Sequence, residues 1–221
     1  MKVIITGATG MVGKGVLLEC LEDDRVSEVL VVNRRSLAIN HTKLREVLHS
    51  DFANLSAIEN EMSEYDACFF NMGVTSIGKT EEEYAKFTYD IVAHWVETLY
   101  KLNPDLVFNY VSGQGTDSSE KGKSMWARIK GKAENYVLNK GFKDAYMFRP
   151  GMIIPEKGIK TTATWYSPIY FILQPFYPLF RRMSSVTTTT RIGQAMINSV
   201  TVNQDLKHLE SGDINKLSSL S

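Results

Sequence analysis

A glycine-spaced turn at the start of the chain constrains the fold more than any other feature. Residues 2–6 have the β-branched sequence KVIIT, typical of a buried strand, and Gly7, Gly10 and Gly13 follow directly in the pattern GxxGxxG. Residues 13–22 then carry apolar side chains at helical spacing. In such a strand–turn–helix the first glycine permits the sharp turn, the second lets a phosphate approach the backbone, and the third lets the helix pack closely on the strand.

This turn favours a dinucleotide over a nucleoside triphosphate. A GxxxxGK[ST] loop is excluded, because Ala8 stands where its first glycine is required and Gly15 follows Lys14 where Ser or Thr is required. We therefore expect the pyrophosphate of a dinucleotide to lie at the N-terminus of the first helix. The residues predicted to hold it are Gly7, Thr9, Gly10, Met11, Val12 and Gly13.

Beyond the turn, strand and helix patterns alternate. Further strands are predicted at 29–33, 44–49, 67–71, 106–111 and 145–149, and helices at 81–102 and 125–139. Parallel neighbours need crossover connections, so this alternation predicts an α/β protein with a doubly wound parallel sheet, a Rossmann fold. The length of 221 residues fits a single domain spanning 1–221. Residues 151–221 are expected to add small C-terminal elements that cover the substrate side and end in a helix at about 191–200.

Charge and composition narrow the classes of partner. Lysine plus arginine equals aspartate plus glutamate at 25 each, so there is no net field to attract nucleic acid or anionic lipid. The four histidines are scattered without ligand spacing, and we predict no metal site. Cys20 and Cys68 fall inside a predicted helix and strand, where they are expected to act as small buried hydrophobes.

One apolar tract, residues 165–180 (WYSPIYFILQPFYPLF), invites a membrane interpretation. It is shorter than the roughly 20 residues that a helical span requires, and it contains Pro168, Pro175 and Pro178. A cover over a pocket or a subunit contact is favoured over membrane contact, which leaves a homodimer open. No secretory signal precedes the first strand, so we expect a cytoplasmic location.

The end of the second strand indicates which dinucleotide binds. Arg34 and Arg35 stand about 20 residues past the glycine turn, where an NAD-selective site places a carboxylate on the ribose hydroxyls. Arginine instead suits a 2′-phosphate, since its planar fork binds phosphate bidentately. The alternative is that both arginines belong to a solvated turn. We favour NADP(H) because the glycine turn lies upstream.

Several short motifs follow one another in a familiar order. Together they resemble the short-chain dehydrogenase/reductase superfamily, most closely its small atypical branch related to the Tat-interacting oxidoreductase-like proteins and the NAD(P)-dependent sugar epimerases. The resemblance covers nearly the whole chain, most clearly as far as Met152. The motifs are GATGMVGKGV, Arg34-Arg35, Asp51-Phe52, Asn71-Met72-Gly73, Val111-Ser112-Gly113, Lys130-Gly131 and Phe148-Arg149-Pro150-Gly151.

The resemblance implies further cofactor contacts beyond the glycine turn. Asp51 and Phe52 would meet the adenine. Four residues from the end of the fourth strand onwards would run beside the adenosine ribose and pyrophosphate, and three residues after the sixth strand would border the nicotinamide. These are, in order, Asn71, Met72, Gly73 and Thr75, and then Pro150, Gly151 and Met152.

The family's chemistry uses a serine, and a tyrosine four residues before a lysine. Ser112 and Lys130 match the serine and the lysine, but Trp126 occupies the tyrosine position. An indole N–H donates a hydrogen bond and does not titrate near neutral pH, so Trp126 is excluded as a general acid. This departure puts the catalytic activity in question.

Other tyrosines of the chain are candidate proton donors. Tyr136 and Lys140 fit the Tyr-x3-Lys spacing, but they stand too late in the chain for the family arrangement, and we interpret the match as a coincidence. Tyr110 is two residues from Ser112, so strand alternation places both side chains on one face. Tyr166 and Tyr170 could enter the pocket from the C-terminal part. Water is a further candidate proton source, and none of these tyrosines has a spacing that singles it out.

Two functions therefore remain. One is an NADP(H)-dependent oxidoreductase that acts on a small, fairly apolar carbonyl or alcohol, with an unorthodox proton donor. The other is a non-catalytic NADP(H)-binding redox sensor or regulatory protein, which Trp126 favours. A nucleic-acid binder is a third class, and the balanced charge argues against it.

Overall fold

Apolar strands form the centre of a seven-stranded sheet in the computed structural model, which describes residues 1–159, 180 and 183–220. The strand order is β3-β2-β1-β4-β5-β6-β9, and every neighbouring pair is parallel. The predicted doubly wound parallel sheet is therefore confirmed. The strands are β1 (Lys2–Thr6), β2 (Glu28–Asn33), β3 (Leu44–Leu48), β4 (Ala67–Phe70), β5 (Val107–Val111), β6 (Asp144–Arg149) and β9 (His208–Glu210).

Helices cover both faces of this sheet. Val16 and Leu17 of the first helix pack with Ile192 and Ile214 on one face, and Trp95 and Ala133 belong to the cluster on the other. Each cluster removes a large apolar surface from water, and this burial is the main favourable term in folding. The helices are α1 (Met11–Glu22), α2 (Glu81–Ala85), α3 (Ile91–Leu102), α4 (Met125–Leu138), α5 (Thr189–Thr201) and α6 (Ser211–Ser218).

The strand order reverses direction between β1 and β4. The chain runs outwards from β1 to β2 and β3, and then from β4 to β5 and β6 on the other side. Because the strands are parallel, the segments that follow β1, β2, β4, β5 and β6 all leave the same edge of the sheet, which we call the strand-end edge. Ligands of open α/β sheets bind at this edge, beside the reversal point.

The predicted helix at 81–102 contains an irregular turn. Its range is right, but a π-helical turn at Lys86–Asp90 separates α2 from α3. A π-helical turn contains about one more residue than an α-helical turn. A search for apolar residues at 3.6-residue spacing therefore does not locate such a turn in the sequence.

The C-terminal part contains more structure than expected. The helix predicted at 191–200 is present as α5, but the prediction that it ends the domain is wrong, since β9 and α6 follow it. Short strands β7 (Met152–Ile154) and β8 (Val186–Thr188) pair in parallel as a second, two-stranded sheet. These additions are three to eight residues long, too short for periodicity to reveal.

Two further predictions concern the cysteines and the apolar tract. Cys20 and Cys68 are buried free thiols, as predicted, and burial raises the pKa of each. Of the apolar tract at 165–180, only Phe180 belongs to the described residues, and Tyr166 and Tyr170 lie outside them. No helix in the described ranges is both long and apolar enough to cross a bilayer.

Candidate cofactor-binding and active site

Steric requirements explain two glycines of the turn. Gly7 has φ +69°, a conformation that side chains disfavour, and a Cβ there would lie 2.7 Å from the carbonyl oxygen of Asn71. A Cβ on Gly13 would lie 2.3 Å from the carbonyl oxygen of Gly7. The segment after β1 is thus pressed against the segment after β4, and the first turn of α1 is pressed against the glycine turn itself.

The N-terminus of α1 is left open at Gly10. Gly10 is the residue that precedes the helix; it supplies no side-chain cap, and the first turn of α1 has no acidic residue. Its N–H donates to Gly7 O at 2.9 Å, which closes the turn. The next N–H groups have no intrahelical acceptor and lie at the positive end of the helix dipole. This arrangement fits a pyrophosphate, and Thr9, Met11 and Val12 stand around it.

Arg34 and Arg35 lie just past the end of β2. Both are exposed, and neither has an ion pair or a hydrogen-bonded partner within the described part of the chain. The nearby carboxylate of Glu46 accepts instead from Ser36 Oγ and the Leu37 N–H, at 2.7 and 2.8 Å. Two guanidinium groups are therefore available to an anion at this end of the strand-end edge.

The segment after β3 starts beside the one that follows β2. The His49 N–H donates to the Asn33 carbonyl at 2.8 Å. Phe52 is partly buried, with its ring 6.4 Å from those of His49 and Trp95. Asp51 is exposed and accepts the Ala53 N–H. An adenine contact for Asp51 and Phe52 remains a prediction.

Two buried polar atoms, at the ends of the strands on either side of β1, have no hydrogen-bond partner among the described residues. They are Asn33 Nδ2, at the end of β2, and Asn71 Oδ1, directly after β4. Asn71 is held in place because its N–H donates to Thr6 Oγ1 and its Nδ2 donates to Phe69 O. A buried donor and a buried acceptor left unpaired are costly, and a polar ligand in the cleft could pair with them.

The segment after Asn71 runs out to the surface. Met72 is partly buried, while Gly73 and Thr75 are exposed. A Cβ on Gly73 would meet nothing within 4 Å, so this glycine is not required by packing in the protein itself. Thr75 Oγ1 accepts the Ile77 N–H at 3.2 Å. Their contacts with the ribose and pyrophosphate also remain predictions.

Ser112 and Lys130 lie in direct contact. Ser112 directly follows β5 and is buried, and Lys130 lies on α4 with its ammonium group donating to the Ser112 carbonyl. Lys130 is partly buried, and burial lowers its pKa to about 8, against the opposing effect of the Glu134 charge. A lysine that titrates near neutral pH has a chemical use beyond holding a charge.

Glu134 is a site residue that sequence reasoning missed. It is fully buried on α4, where it accepts hydrogen bonds from Ser112 Oγ and from the guanidinium of Arg149. His208 Nε2 lies 3.5 Å from its second oxygen. The available signal was spacing, since Glu134 stands four residues after Lys130 and eight after Trp126, on the same helix face.

Trp126 occupies the turn of α4 before Lys130. Its ring lies 3.4 Å from the position of a Cβ built on Gly115. The indole therefore packs against the loop that follows Ser112.

The alternative tyrosines in the described residues are not suited to proton transfer. Tyr110 is 1% exposed, its ring lies 5.9 Å from that of Phe70, and burial raises its pKa well above the usual range. Tyr136 and Lys140 both bond to Glu97 on the neighbouring helix α3, which raises the pKa of Tyr136 to about 12. Their Tyr-x3-Lys spacing thus forms a helix–helix contact, in agreement with our interpretation of a coincidence.

The segment after β6 contacts residues that line an open cavity of about 350 Å³. Pro150 is buried, and its carbonyl accepts the Gln114 N–H, while the Gly151 N–H donates to Ser211 Oγ. A Cβ on Gly151 would lie 2.9 Å from the carbonyl of Ser185, so this position is crowded. The partly buried Met152 begins β7. The cavity is lined by Gln114, Ser184, Ser185, Glu210, Ser211, Gly212 and Asp213.

Comparison with known sequences gives consistent matches. The profile of the NAD dependent epimerase/dehydratase family matches residues 3–134. Protein HTATIP2 of Rattus norvegicus is 26% identical over 171 residues, which are 76% of this chain and 69% of that protein. Protein FMP52, mitochondrial, of Candida albicans is 24% identical over 161 residues, covering 71% of this chain and 69% of that protein.

Solved structures are similar over nearly the whole length. The Bordetella bronchiseptica enzyme WbmH in complex with NAD+ has a TM-score of 0.69 at 16% identity, covering 98% of this chain and 78% of that one. MoeE5 in complex with UDP-glucose and NAD has a TM-score of 0.68 at 14% identity, covering 99% and 81%. At these identities the likeness establishes the Rossmann-type fold.

Proposed function

The chain belongs to the NAD dependent epimerase/dehydratase family, and from that premise we propose that it is an NADP(H)-dependent oxidoreductase acting on a small carbonyl or alcohol. The observation that carries the cofactor choice is the exposed pair Arg34 and Arg35 at the end of β2, with no carboxylate in the position that would select NAD. When bound, NADP(H) would supply the hydride, and the protein would supply position and protons.

The described residues fit such a cofactor along the strand-end edge. The glycine turn, the open N-terminus of α1 and the two unpaired asparagine atoms suit the pyrophosphate and its adjoining ribose. Ser112 and Lys130 stand after β5 and on α4, and Pro150, Gly151 and Met152 follow β6. The reacting end would therefore lie on the β5–β6 side of the reversal point, beside the cavity that Gln114 lines. We also propose that residues 151–221 form the cover on this side.

Calorimetry with NADPH and NADH tests the cofactor choice. NADPH should bind more tightly, and the double variant Arg34→Ala, Arg35→Ala should remove most of the difference. Each lost charge-assisted phosphate contact is expected to cost roughly 1.5–3 kcal/mol, about 13- to 160-fold in affinity. Equal affinities for the two cofactors in the unmodified protein would end this proposal.

A matched control variant distinguishes direct contact of the arginines with the phosphate from the general effect of positive charge on the protein surface. The variant Lys143→Ala, Lys216→Ala also removes two exposed positive charges, but Lys143 precedes β6 at the opposite edge of the sheet and Lys216 lies in the last turn of α6. It should keep the preference for NADPH. Adenosine 2′,5′-bisphosphate and ADP serve as fragment probes, of which only the first should lose affinity in the double arginine variant.

A non-catalytic sensor is the second candidate, favoured by Trp126 at the tyrosine position. Oxidation of NADPH against a panel of aldehydes and ketones distinguishes the two. Turnover by the unmodified protein supports the enzyme. Binding without turnover, together with activity gained in Trp126→Tyr, supports a sensor derived from an enzyme. The gain could be limited by the void that a smaller ring leaves.

A further inference from the structure

The hydroxyl proton of Ser112 is directed into the protein. The hydroxyl lies within donating distance of a Glu134 oxygen and of the Phe148 carbonyl, at 3.3 Å for the latter. Both acceptors belong to fully buried residues. A serine hydroxyl has one proton, so Ser112 can present only acceptor lone pairs to a substrate while either bond is made.

The carboxylate that holds this proton is itself fixed. Arg149 donates to both oxygens of Glu134, through Nε at 2.9 Å and through Nη2. The Arg149 guanidinium is only partly accessible, with 12% of its side chain exposed. A buried, bidentate arginine–carboxylate pair holds one geometry. If the Ser112 hydroxyl rotated towards a ligand at the strand-end edge, Glu134 would lose one of its hydrogen bonds.

The Lys130 ammonium, unlike the Ser112 hydroxyl, keeps protons that it can donate to a ligand. One of its three protons is donated to the Ser112 carbonyl, and its nitrogen lies 4.0 Å from a Cβ built on Gly113. The residue one turn earlier is Trp126 and not a tyrosine, so that helical position offers no phenol beside this ammonium. Its remaining two protons can be donated to a ligand oxygen at this position.

Resting on the proposed function, we propose that Lys130 is itself the acid that protonates the substrate oxygen, and that Glu134 is a positioning residue that restricts Ser112 to accepting hydrogen bonds. In the reductive direction, the carbonyl carbon gains a hydride from the reduced nicotinamide while the C=O π pair moves to oxygen. A Lys130 N–H bond breaks as the new O–H bond forms. The carbonyl is reduced to an alcohol, the cofactor is oxidised, and water returns a proton to the neutral amine.

Burial makes this lysine suitable for the role. It lowers the pKa of Lys130 to about 8, where a general acid is still protonated at neutral pH and releases its proton readily. The charged group that acts on it is Glu134 on its own helix. Glu134 is in turn paired with Arg149 of β6 and lies beside His208 of β9. Glu134 opposes the shift, so neutralising it should lower the pKa of Lys130 further.

A titration of the cofactor-free protein tests the proposal without any turnover. With lysine labelled at 13Cε, the resonance absent from Lys130→Arg is assigned to Lys130 and followed by NMR against pH. The expected midpoint is near 8, and Glu134→Gln should move it downwards. Should Glu134→Gln fail to fold, the midpoint in the unmodified protein decides alone. A midpoint at the ordinary lysine value of about 10.4 would overturn the donor role.

Kinetics test the same role independently. Arg is always protonated, so Lys130→Arg keeps the charge but cannot release a proton. It should bind NADPH within a few-fold of the unmodified protein while kcat falls by about 10²–10⁴-fold. The reductive rate of the unmodified protein should decline above pH 8, and the residual rate of Lys130→Arg should lack this decline.

The outcomes separate this inference from the proposed function. Turnover that survives in Lys130→Arg, or that is lost in Tyr166→Phe or Tyr170→Phe, overturns the donor role and leaves the oxidoreductase intact. Failure of the unmodified protein to bind NADPH or to turn over any carbonyl overturns the proposed function, and the donor role with it.

Discussion

Gly10 and Gly13 stand three positions apart, but a side chain at each would meet different surroundings. A Cβ on Gly10 would lie 3.3 Å from Gly7 O, a tight contact that a small backbone adjustment relieves, and its other side faces the open end of α1. We expect Gly10→Val to remain folded and to lose dinucleotide binding, because the side chain occupies the space of the pyrophosphate. Calorimetry with NADPH and a denaturant unfolding curve measure both effects.

Gly13→Ala provides the contrasting variant. Its Cβ would lie 2.3 Å from the Gly7 carbonyl oxygen, which is backbone and cannot move aside cheaply. Gly13→Ala should therefore reduce the free energy of unfolding by about 1–3 kcal/mol, the usual range for overpacking.

Unchanged NADPH affinity in Gly10→Val would mean that the phosphate is held elsewhere.

The lowered pKa of Lys130 has a consequence for stability. In the unfolded chain this lysine titrates at about 10.4, so between pH 8 and 10.4 the unfolded state binds the proton and the folded state does not. The free energy of unfolding contributed by Lys130 should therefore rise with pH across this window and level off above it. Relative to Lys130→Met, the unmodified protein should gain about 1–3 kcal/mol between pH 8 and 10.

Denaturant unfolding of both proteins at pH 7, 8, 9 and 10 measures this gain. The difference between the two cancels the titration of all other groups and any constant effect of the lost hydrogen bond to Ser112. A difference that stays flat with pH would contradict the buried placement of this ammonium.

Local rules decide how well single residues can be predicted. The conformation of Gly7 and the location of Arg34 just past β2 depend on neighbouring residues in the sequence, so the local pattern was sufficient to place them. Glu134 is different, because its burial as a charge depends on Arg149 and Ser112, which come from other elements. Nothing within one helical turn of Glu134 in the sequence supplies those partners.

At the scale of elements, a pair of glycines lets α1 and α5 lie close together. A Cβ on Gly15 would lie 2.5 Å from Thr189 Cβ, and one on Gly193 would lie 2.6 Å from Glu19 Cγ and 3.2 Å from the Val16 backbone. This contact holds the helix whose N-terminus faces the predicted pyrophosphate. The function of the glycine turn therefore depends on a helix about 180 residues later in the chain.

Replacing these glycines tests the close helix contact. Gly193→Ala should lower the free energy of unfolding by about 1–3 kcal/mol, because overpacking outweighs the higher helix propensity of alanine. Gly212→Ala in α6 is the matched control, since its Cβ would make an ordinary contact at 3.6 Å with Ser184 O. It should be neutral or slightly stabilising. If thermal unfolding shows the two variants to be alike, α1 and α5 are not as close as the structure places them.

Element length explains which parts of the fold the sequence could predict. The first six strands are four to six residues long, and all of them except β3 are mostly apolar and buried, so their apolar runs and the helical patterns between them predicted a parallel sheet. Strand β9 has only three residues, HLE, and is recognisable as a strand only once it pairs with Phe148 and its neighbours in β6. Helix α6 has the polar sequence SGDINKLS, whose Gly, Asp, Asn and Ser residues are weak helix formers.

For the whole molecule, the residues proposed to bind the cofactor and those proposed to act on the substrate lie mainly on different halves of the sheet. The β1–β3 side carries the glycine turn and the arginines, and the β4–β6 side carries Ser112 and the segment that begins at Pro150. A bound dinucleotide would bridge both halves across the reversal point. It should therefore stabilise the fold as a unit.

This bridging leads to a prediction for thermal unfolding. NADPH at 100 times its Kd should add about 2.7 kcal/mol to the free energy of unfolding. For a domain of this size that corresponds to a rise in Tm of about 5–10 °C. NADH at the same molar concentration should raise Tm less, because it lacks the phosphate that Arg34 and Arg35 would bind. Differential scanning calorimetry of the unmodified protein with each cofactor measures the two shifts.

Two variants complete this experiment. Arg34→Ala, Arg35→Ala should reduce the NADPH shift to the size of the NADH shift, and Lys143→Ala, Lys216→Ala should retain the full difference. Because stabilisation by mass action depends only on binding to the folded state, the comparison holds even if the protein has no turnover. A shift of equal size for both cofactors would refute the role of the arginines, and no shift with either would refute dinucleotide binding across the sheet.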